Sequence, residues 1–300
     1  MCCPLTRESV GRIQSPRLRD PKEVTVKVAT IRTVDADGLT LAYRELGSGP
    51  AVLLLHGWPT SSFLWRRVMV PIARASRVIA LDLPGFGASD KPRGVQYDFA
   101  FFERALDQFL ERVGVDEVGL AVHDLGGPIG LHWALHRPER VSKLALLNTL
   151  VYPRFSDTVR EFVRTCSTPG LREQITSPAG LESIMRLGLA DPACLTPEVL
   201  AAVQRPFRTT DARLALAEAA IGLEPRGFVD ISRRLSAVRC PVRLVYGRRD
   251  RLLPDVSETM ARVRTDIPHA EVTALPDCGH FLQEEAPDTV GEVLARFFET

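Results

Sequence analysis

Short, continuous apolar runs recur along the chain, and each is followed by a turn and then by residues with helical periodicity. The clearest of these runs are Ala51–Leu55, Val78–Leu81, Val118–Val122 and Leu144–Leu147. Runs without alternating polar positions are typical of strands that are buried on both faces of a parallel sheet. Between them, apolar residues from Phe101 to Val113 recur every three to four positions, which predicts an amphipathic helix lying on that sheet. Alternating strands and helices predict an α/β fold with a mostly parallel central sheet flanked by helices.

The residues before the first of these apolar runs show a different pattern. Two strands are predicted at Val28–Val34 and Leu39–Leu46, and the intervening Asp35-Ala36-Asp37-Gly38 has the composition of a hairpin turn. Residues 1–27 are rich in Arg, Pro and Ser, so we expect a flexible N-terminal extension there.

Strand-like runs stop between residues 151 and 235, where helix start signals such as Thr196-Pro197-Glu198 appear instead. The sheet pattern resumes at Val242–Tyr246 and Glu271–Leu275, and a helix is predicted at Pro287–Phe298. We therefore predict a core domain made of residues 28–150 and 236–300, with an inserted helical cap, or lid, made of residues 151–235.

The composition narrows the class of protein. The 300 residues are 45% hydrophobic and 25% charged, with a net charge of +1 and no basic stripe, so a globular protein without a nucleic-acid partner is expected. The N-terminal segment has no apolar signal region, and no apolar run is long enough for a bilayer. The six cysteines form no C-x-x-C unit. We expect a cytoplasmic protein without a membrane partner, as a monomer or homodimer.

Asp124 is the first candidate for chemistry. It follows the apolar run Val118–Val122 and precedes Leu125-Gly126-Gly127, at the position where a strand-to-helix elbow would present a nucleophile. No serine elbow is found in the sequence. A carboxylate at this position can displace a leaving group from saturated carbon and form an ester that water then cleaves.

A nucleophile of this kind needs a base, and the base needs a group that orients it. His280 and Asp250 each lie just beyond a predicted strand, and the chain order nucleophile, acid, histidine is that of an α/β-hydrolase fold. Two further segments, His56–Arg66 and Asp82–Pro92, complete the pattern. From residue 28 onward the chain resembles the α/β-hydrolases with an aspartate nucleophile, which include haloalkane dehalogenases and epoxide hydrolases.

The resemblance implies a role for each of these residues. Asp124 would be the nucleophile, His280 the base that activates water, and Asp250 the acid that orients His280. The backbone N–H groups of Trp58 and Leu125 would form the oxyanion hole. Asn148 occupies the position where some relatives carry the acid, and it cannot serve as a carboxylate.

Three functions remain open from the sequence. A dehalogenase would need N–H donors for the departing halide, and relatives usually carry a tryptophan where this chain has Leu125, so the indole of Trp58 is the candidate leaving-group donor. An epoxide hydrolase would need a proton donor, for which Tyr152 at the start of the cap is the candidate. A third possibility is a non-catalytic protein that binds a small molecule.

The expected reaction partners are a small apolar organic substrate and water. Apolar cap residues either line a cavity above Asp124 or pack within the cap: Phe155, Phe162, Ile184, Met185, Leu187, Leu189 and Phe207. No glycine-rich phosphate loop and no metal-ligand motif is found, so no cofactor is implied.

Overall fold

A central eight-stranded sheet organises the protein, of which the computed structural model describes residues 29–299. The predicted extension, residues 1–27, lies outside the described residues. The strands are β1 (Ile31–Ala36), β2 (Leu39–Leu46), β3 (Ala51–Leu55), β4 (Arg77–Leu81), β5 (Val118–Asp124), β6 (Val141–Thr149), β7 (Val242–Gly247) and β8 (Glu271–Leu275).

Their order across the sheet is β1-β2-β4-β3-β5-β6-β7-β8. The hairpin β1–β2 is antiparallel and joins β4 in antiparallel fashion, whereas all pairs from β4 to β8 are parallel. The predicted α/β class with a mostly parallel sheet is therefore confirmed. The hairpin turn is tighter than predicted, because β1 continues to Ala36 and only Asp37 (φ 55°) and Gly38 (φ 82°) make the turn.

Helices cover both faces of the sheet. They are α1 (Met69–Ile72), α2 (Phe99–Arg112), α3 (Gly126–His136), α4 (Asp157–Ser167), α5 (Leu171–Ile175), α6 (Pro178–Gly188), α7 (Pro197–Gln204), α8 (Thr210–Ile221), α9 (Pro225–Arg234), α10 (Val256–Asp266), α11 (Leu282–Glu285) and α12 (Pro287–Glu299). The predicted amphipathic helix corresponds to α2. Asp98 precedes and caps it, since its side chain accepts a hydrogen bond from the Phe101 N–H at 2.8 Å.

Helices α4 to α9 lie between β6 and β7, and we call residues 151–235 the cap and the other described residues the core. One hydrophobic cluster continues from the sheet into the cap, with Leu53 and Phe102 on the core side and Met185, Phe207 and Leu216 on the cap side. The division into two domains therefore stays a proposal. No helix among residues 29–299 is long and apolar enough to span a membrane.

Candidate active site

Asp124 ends β5 in a strained backbone conformation, with φ at 48°. This left-handed region is uncommon for residues other than glycine. The neighbouring chain makes room for the turn: a Cβ on Gly57 would lie 2.3 Å from the Cβ of Asp124, and one on Gly126 would lie 2.4 Å from the His56 carbonyl oxygen. Glycine at both positions thus allows β3 and α3 to approach the elbow closely.

Two backbone N–H groups favour the charged form of Asp124. The Trp58 N–H donates to Oδ2 at 2.8 Å. The Leu125 N–H lies close enough to lower the pKa of the carboxyl. These are the two donors that the resemblance implies for an oxyanion hole. Burial raises the pKa of Asp124 above 3.8, and this effect exceeds the opposing influence of His280 and the two N–H groups.

His280 lies between the two aspartates. Its Nδ1–H donates to Asp250 Oδ2 at 2.8 Å, and its Nε2 lies 3.6 Å from Asp124 Oδ1. Burial alone would lower the pKa of His280, but the charge and hydrogen bond of Asp250 and the charge of Asp124 outweigh burial and raise the pKa above 6.5. Nε2 is buried and makes no hydrogen bond to the described residues, so it is free to accept a proton.

Asn148 organises the acid, a role that the sequence analysis did not foresee. Its Nδ2 donates to Asp250 Oδ2 at 2.7 Å and to the Gly279 carbonyl at 3.2 Å, while its Oδ1 accepts from the Gly247 N–H at 2.9 Å. The side chain is fully buried, and φ is 30°. Asn148 thereby connects the ends of β6 and β7 to the loop that carries His280.

His123 provides a second support that the sequence did not reveal. Its Nε2 lies 2.9 Å from the His280 carbonyl oxygen. Burial and the nearby His280 hold the pKa of His123 well below its usual range, so the ring is neutral and can donate this hydrogen bond. The residue before Asp124 therefore fixes the backbone of His280.

A cavity of about 570 Å³ lies above the carboxylate and is lined by both core and cap. Asp124, His280, Trp58 and Leu125 form its floor. Its walls are mostly apolar and include four of the seven cap residues considered in the sequence analysis: Phe155, Phe162, Ile184 and Leu187. The other three, Met185, Leu189 and Phe207, are buried in the hydrophobic cluster instead.

Both candidate leaving-group donors have other partners. The indole N–H of Trp58 donates to the Leu216 carbonyl of α8 at 3.2 Å, although the residue lines the cavity. Tyr152 does not line the cavity, because its hydroxyl donates to Asp266 Oδ2 at 2.6 Å and its ring packs 3.8 Å from the Arg262 guanidinium. Trp58 thus lines the cavity with its indole proton donated elsewhere, whereas Tyr152 lies outside the cavity, and the predicted donor roles of both residues stay predictions.

Comparison with known proteins identifies the family. The family model described as the alpha/beta hydrolase fold matches residues 50–182. A haloalkane dehalogenase of Mesorhizobium japonicum is 30% identical and aligns with 85% of this chain and 87% of its own length. Haloalkane dehalogenase 2 of Mycobacterium tuberculosis is 28% identical over 89% of this chain and 94% of its own length.

A solved structure of a haloalkane dehalogenase has the same fold as this chain. The haloalkane dehalogenase DbeA from Bradyrhizobium elkani superimposes with a TM-score of 0.80 at 29% sequence identity, over 89% of this chain and 97% of its own. The predicted α/β-hydrolase fold is thereby confirmed. The chain is a hydrolase that belongs to the α/β-hydrolases, in the family of the haloalkane dehalogenases.

Proposed function

We propose that the protein hydrolyses carbon–halogen bonds in small apolar substrates through a covalent ester on Asp124. One observation carries this proposal: a carboxylate, held at Oδ2 by the Trp58 N–H, presents Oδ1 to a mostly apolar cavity beside the unpartnered Nε2 of His280. A serine-type acyl transfer would need a hydroxyl at the elbow. The carboxylate suits displacement at saturated carbon.

In the first step, Asp124 Oδ1 attacks the carbon that carries the halogen. A carbon–oxygen bond forms while the carbon–halogen bond breaks, and the halide leaves with the bonding electron pair. The Trp58 N–H on Oδ2 fixes the carboxylate in the attacking orientation. The apolar walls contributed by α4 and α6 would hold the alkyl group over Oδ1.

In the second step, water attacks the carboxyl carbon of the ester. Nε2 of His280 takes one proton from the water, and Asp250 stabilises the resulting imidazolium through Nδ1–H. Negative charge then develops on Oδ2, where the Trp58 N–H already donates and where the Leu125 N–H would be the second donor. Collapse of this intermediate releases the alcohol and restores the carboxylate, so the net products are an alcohol, a halide and a proton.

The hydrogen bond of the Trp58 indole to the cap affects which halides the enzyme can release. Leu125 has no side-chain N–H, and the Trp58 N–H donates to Leu216, so a departing halide meets little donor stabilisation unless the indole exchanges partners. A developing anion without donors in an apolar site is costly. We therefore expect turnover to decrease steeply from iodoalkanes and bromoalkanes to chloroalkanes.

Epoxide hydrolysis is the weaker alternative. Opening of an epoxide ring requires a proton donor near the nucleophile, and no tyrosine lies among the described residues that line the cavity. The hydroxyl of Tyr152 is bonded to Asp266 at 2.6 Å. A purely binding role is also disfavoured, because a buried carboxylate beside an imidazole has a large desolvation cost, which a protein that only binds apolar molecules would not need.

The deciding experiment offers short iodoalkanes, bromoalkanes and a styrene-type epoxide in parallel, and measures halide and diol. We expect halide release, a loss of more than about a thousandfold in Asp124→Ala, and a covalent adduct in His280→Phe that is visible by mass spectrometry. Diol without halide would select the epoxide hydrolase instead. Unchanged halide release in Asp124→Ala would refute the proposed nucleophile.

A further inference from the structure

Two histidines lie side by side at the end of α3, far along the helix from Asp124. His132 and His136 are four residues apart and therefore occupy one face of the helix. Their ring centroids are 4.4 Å apart. The ring of Phe99 stacks on His132 at 4.4 Å and fixes its orientation.

Glu103 on α2 closes one edge of this pair. Its Oε1 lies 2.6 Å from Nδ1 of His132 and 3.4 Å from Nδ1 of His136, and one ligand atom from each of the three residues can be chosen so that all lie within 4.8 Å. The second oxygen, Oε2, lies 3.3 Å from Nη1 of Arg137. Only Oε1 therefore faces the two rings.

Asp230 on α9 closes the opposite edge. Its Oδ2 lies 3.2 Å from Nε2 of His136 and 3.9 Å from Nε2 of His132. This oxygen is buried without a hydrogen bond to the described residues, whereas Oδ1 accepts from Nε of Arg234 at 2.9 Å. Two imidazoles thus lie between two carboxylates that come from different helices.

Two imidazole nitrogens and one carboxylate oxygen form a donor set that suits Zn²⁺, Co²⁺ or Ni²⁺ and not Mg²⁺ or Ca²⁺. With ligands at about 2.0–2.2 Å in tetrahedral geometry, ligand atoms lie roughly 3.3–3.5 Å apart. The Glu103–His136 separation already fits. The Glu103–His132 hydrogen bond at 2.6 Å would open slightly as the ion replaces its proton.

We propose that Glu103, His132 and His136 bind a divalent transition-metal ion, with Asp230 Oδ2 accepting the Nε2–H of His136 on the far edge of its ring. A carboxylate in that position is a common partner of metal-bound histidine. On binding, Nδ1 of His136 gives up its 2.8 Å contact with the His132 carbonyl. The half-exposed His136 leaves the fourth position open to water.

This site is separate from the catalytic cavity and does not rest on the proposed reaction. Its residues come from α2 and α3 of the core and from α9 of the cap. The ion itself therefore joins α2 to α3 within the core, and Asp230 connects its histidine ligands to α9 of the cap. Because its three ligands come together only in the folded chain, the ion raises the melting temperature once its concentration exceeds its Kd, and the increase grows with the logarithm of that concentration.

The test titrates the full chain, kept reduced, with ZnCl₂ by calorimetry and follows Tm with and without zinc. We expect one saturable zinc site, a Tm increase of several degrees, and no comparable effect of MgCl₂. In His136→Gln and in Glu103→Gln, zinc affinity falls at least about tenfold and the Tm increase disappears. Hydrolytic activity without zinc remains unchanged in His136→Gln.

The matched control is His269→Gln, which removes an exposed histidine bonded to the Cys240 carbonyl, outside the cluster. This variant keeps the zinc site. Because all variants retain the six cysteines, zinc binding by thiols cannot explain a difference between them. Absence of zinc binding in the parent protein overturns the proposal. So does a His136→Gln variant that binds zinc as the parent does.

Discussion

Asn148 shows how one neutral side chain can support a charged pair. Asp250 Oδ2 accepts both from His280 Nδ1–H and from Asn148 Nδ2–H, while its Oδ1 accepts from the N–H groups of Leu252 and Leu253 at 2.8 Å each. Four donors thus satisfy a carboxylate that is almost fully buried. Without such donors, a buried ionised carboxylate would be strongly destabilised.

We therefore predict that Asn148→Ala slows the second step more than the first. Hydrogen bonds to charged groups contribute about 1.5–3 kcal/mol, so hydrolysis of the ester should slow by roughly 10- to 100-fold as His280 loses its fixed orientation. Rapid-quench measurement should show a normal halide burst followed by slow turnover. A burst and a steady-state rate that fall together would indicate general misfolding instead.

The pH dependence of turnover follows from the protonation states that the two steps require of Asp124 and His280. Attack requires ionised Asp124, whereas ester hydrolysis requires neutral His280. Asp250 raises the pKa of His280 against the effect of burial, and burial raises the pKa of Asp124 as well. Because each charge of the pair favours the charged form of the other, His280 takes up a proton before Asp124 does, and the second step is lost first.

As pH falls, we expect steady-state turnover to decline before the halide burst does, with the ester accumulating in between. Stopped-flow halide release at several pH values, with intact-mass analysis of the quenched protein, measures both steps. The prediction fails if the burst amplitude decreases in parallel with turnover across the acidic limb.

At the scale of elements, apolar runs locate the centres of strands but not their ends. The run Leu144–Leu147 marks only the middle of β6, which extends from Val141 to Thr149. Its polar end is invisible to a hydrophobic pattern, yet Asn148 and Thr149 are buried there because their side chains find partners in Asp250 and in the Asp124 carbonyl.

At the candidate site, too, residues in local motifs could be predicted from the sequence, whereas contacts between distant segments could not. Asp124, Asp250 and His280 were placed from local motifs and chain order, and the structure brings their side chains together. The partners of the Trp58 indole and of Tyr152 lie 158 and 114 positions away along the chain. Only the packing of the cap on the core determines such contacts.

The histidine–carboxylate cluster was missed although one signal was present. His132 and His136 have the spacing of one helical turn, but their carboxylate partners come from α2 and α9. Three separate elements must be placed before the cluster exists. A sequence motif restricted to neighbouring residues cannot contain it.

In the molecule as a unit, Trp58 links the core to the cap. Its backbone N–H holds Asp124, its indole N–H holds the Leu216 carbonyl of α8, and its ring packs edge-on against Phe162 of α4 at 4.8 Å. The residue therefore contacts the nucleophile and two cap helices at once.

We predict that Trp58→Phe, which keeps an aromatic ring and the backbone N–H, loosens α8. Amide hydrogen exchange in α8 should accelerate, because the Leu216 carbonyl loses its donor at a cost of about 1 kcal/mol, while the halide burst slows by less than about threefold. A burst slowed by more than a hundredfold, with α8 exchange unchanged, would instead make the indole a direct donor to the leaving group.

The continuous hydrophobic cluster that joins cap and core restricts how a ligand can enter. A rigid swing of the whole cap would strip Met185, Phe207 and Leu216 from their neighbours and expose a large apolar area to solvent. We therefore expect ligands to enter without such a movement, through the side of the cavity that is lined by the exposed cap residues Val163 and Leu187. The width of this entrance, and not only the fit above the nucleophile, then limits which compounds are hydrolysed.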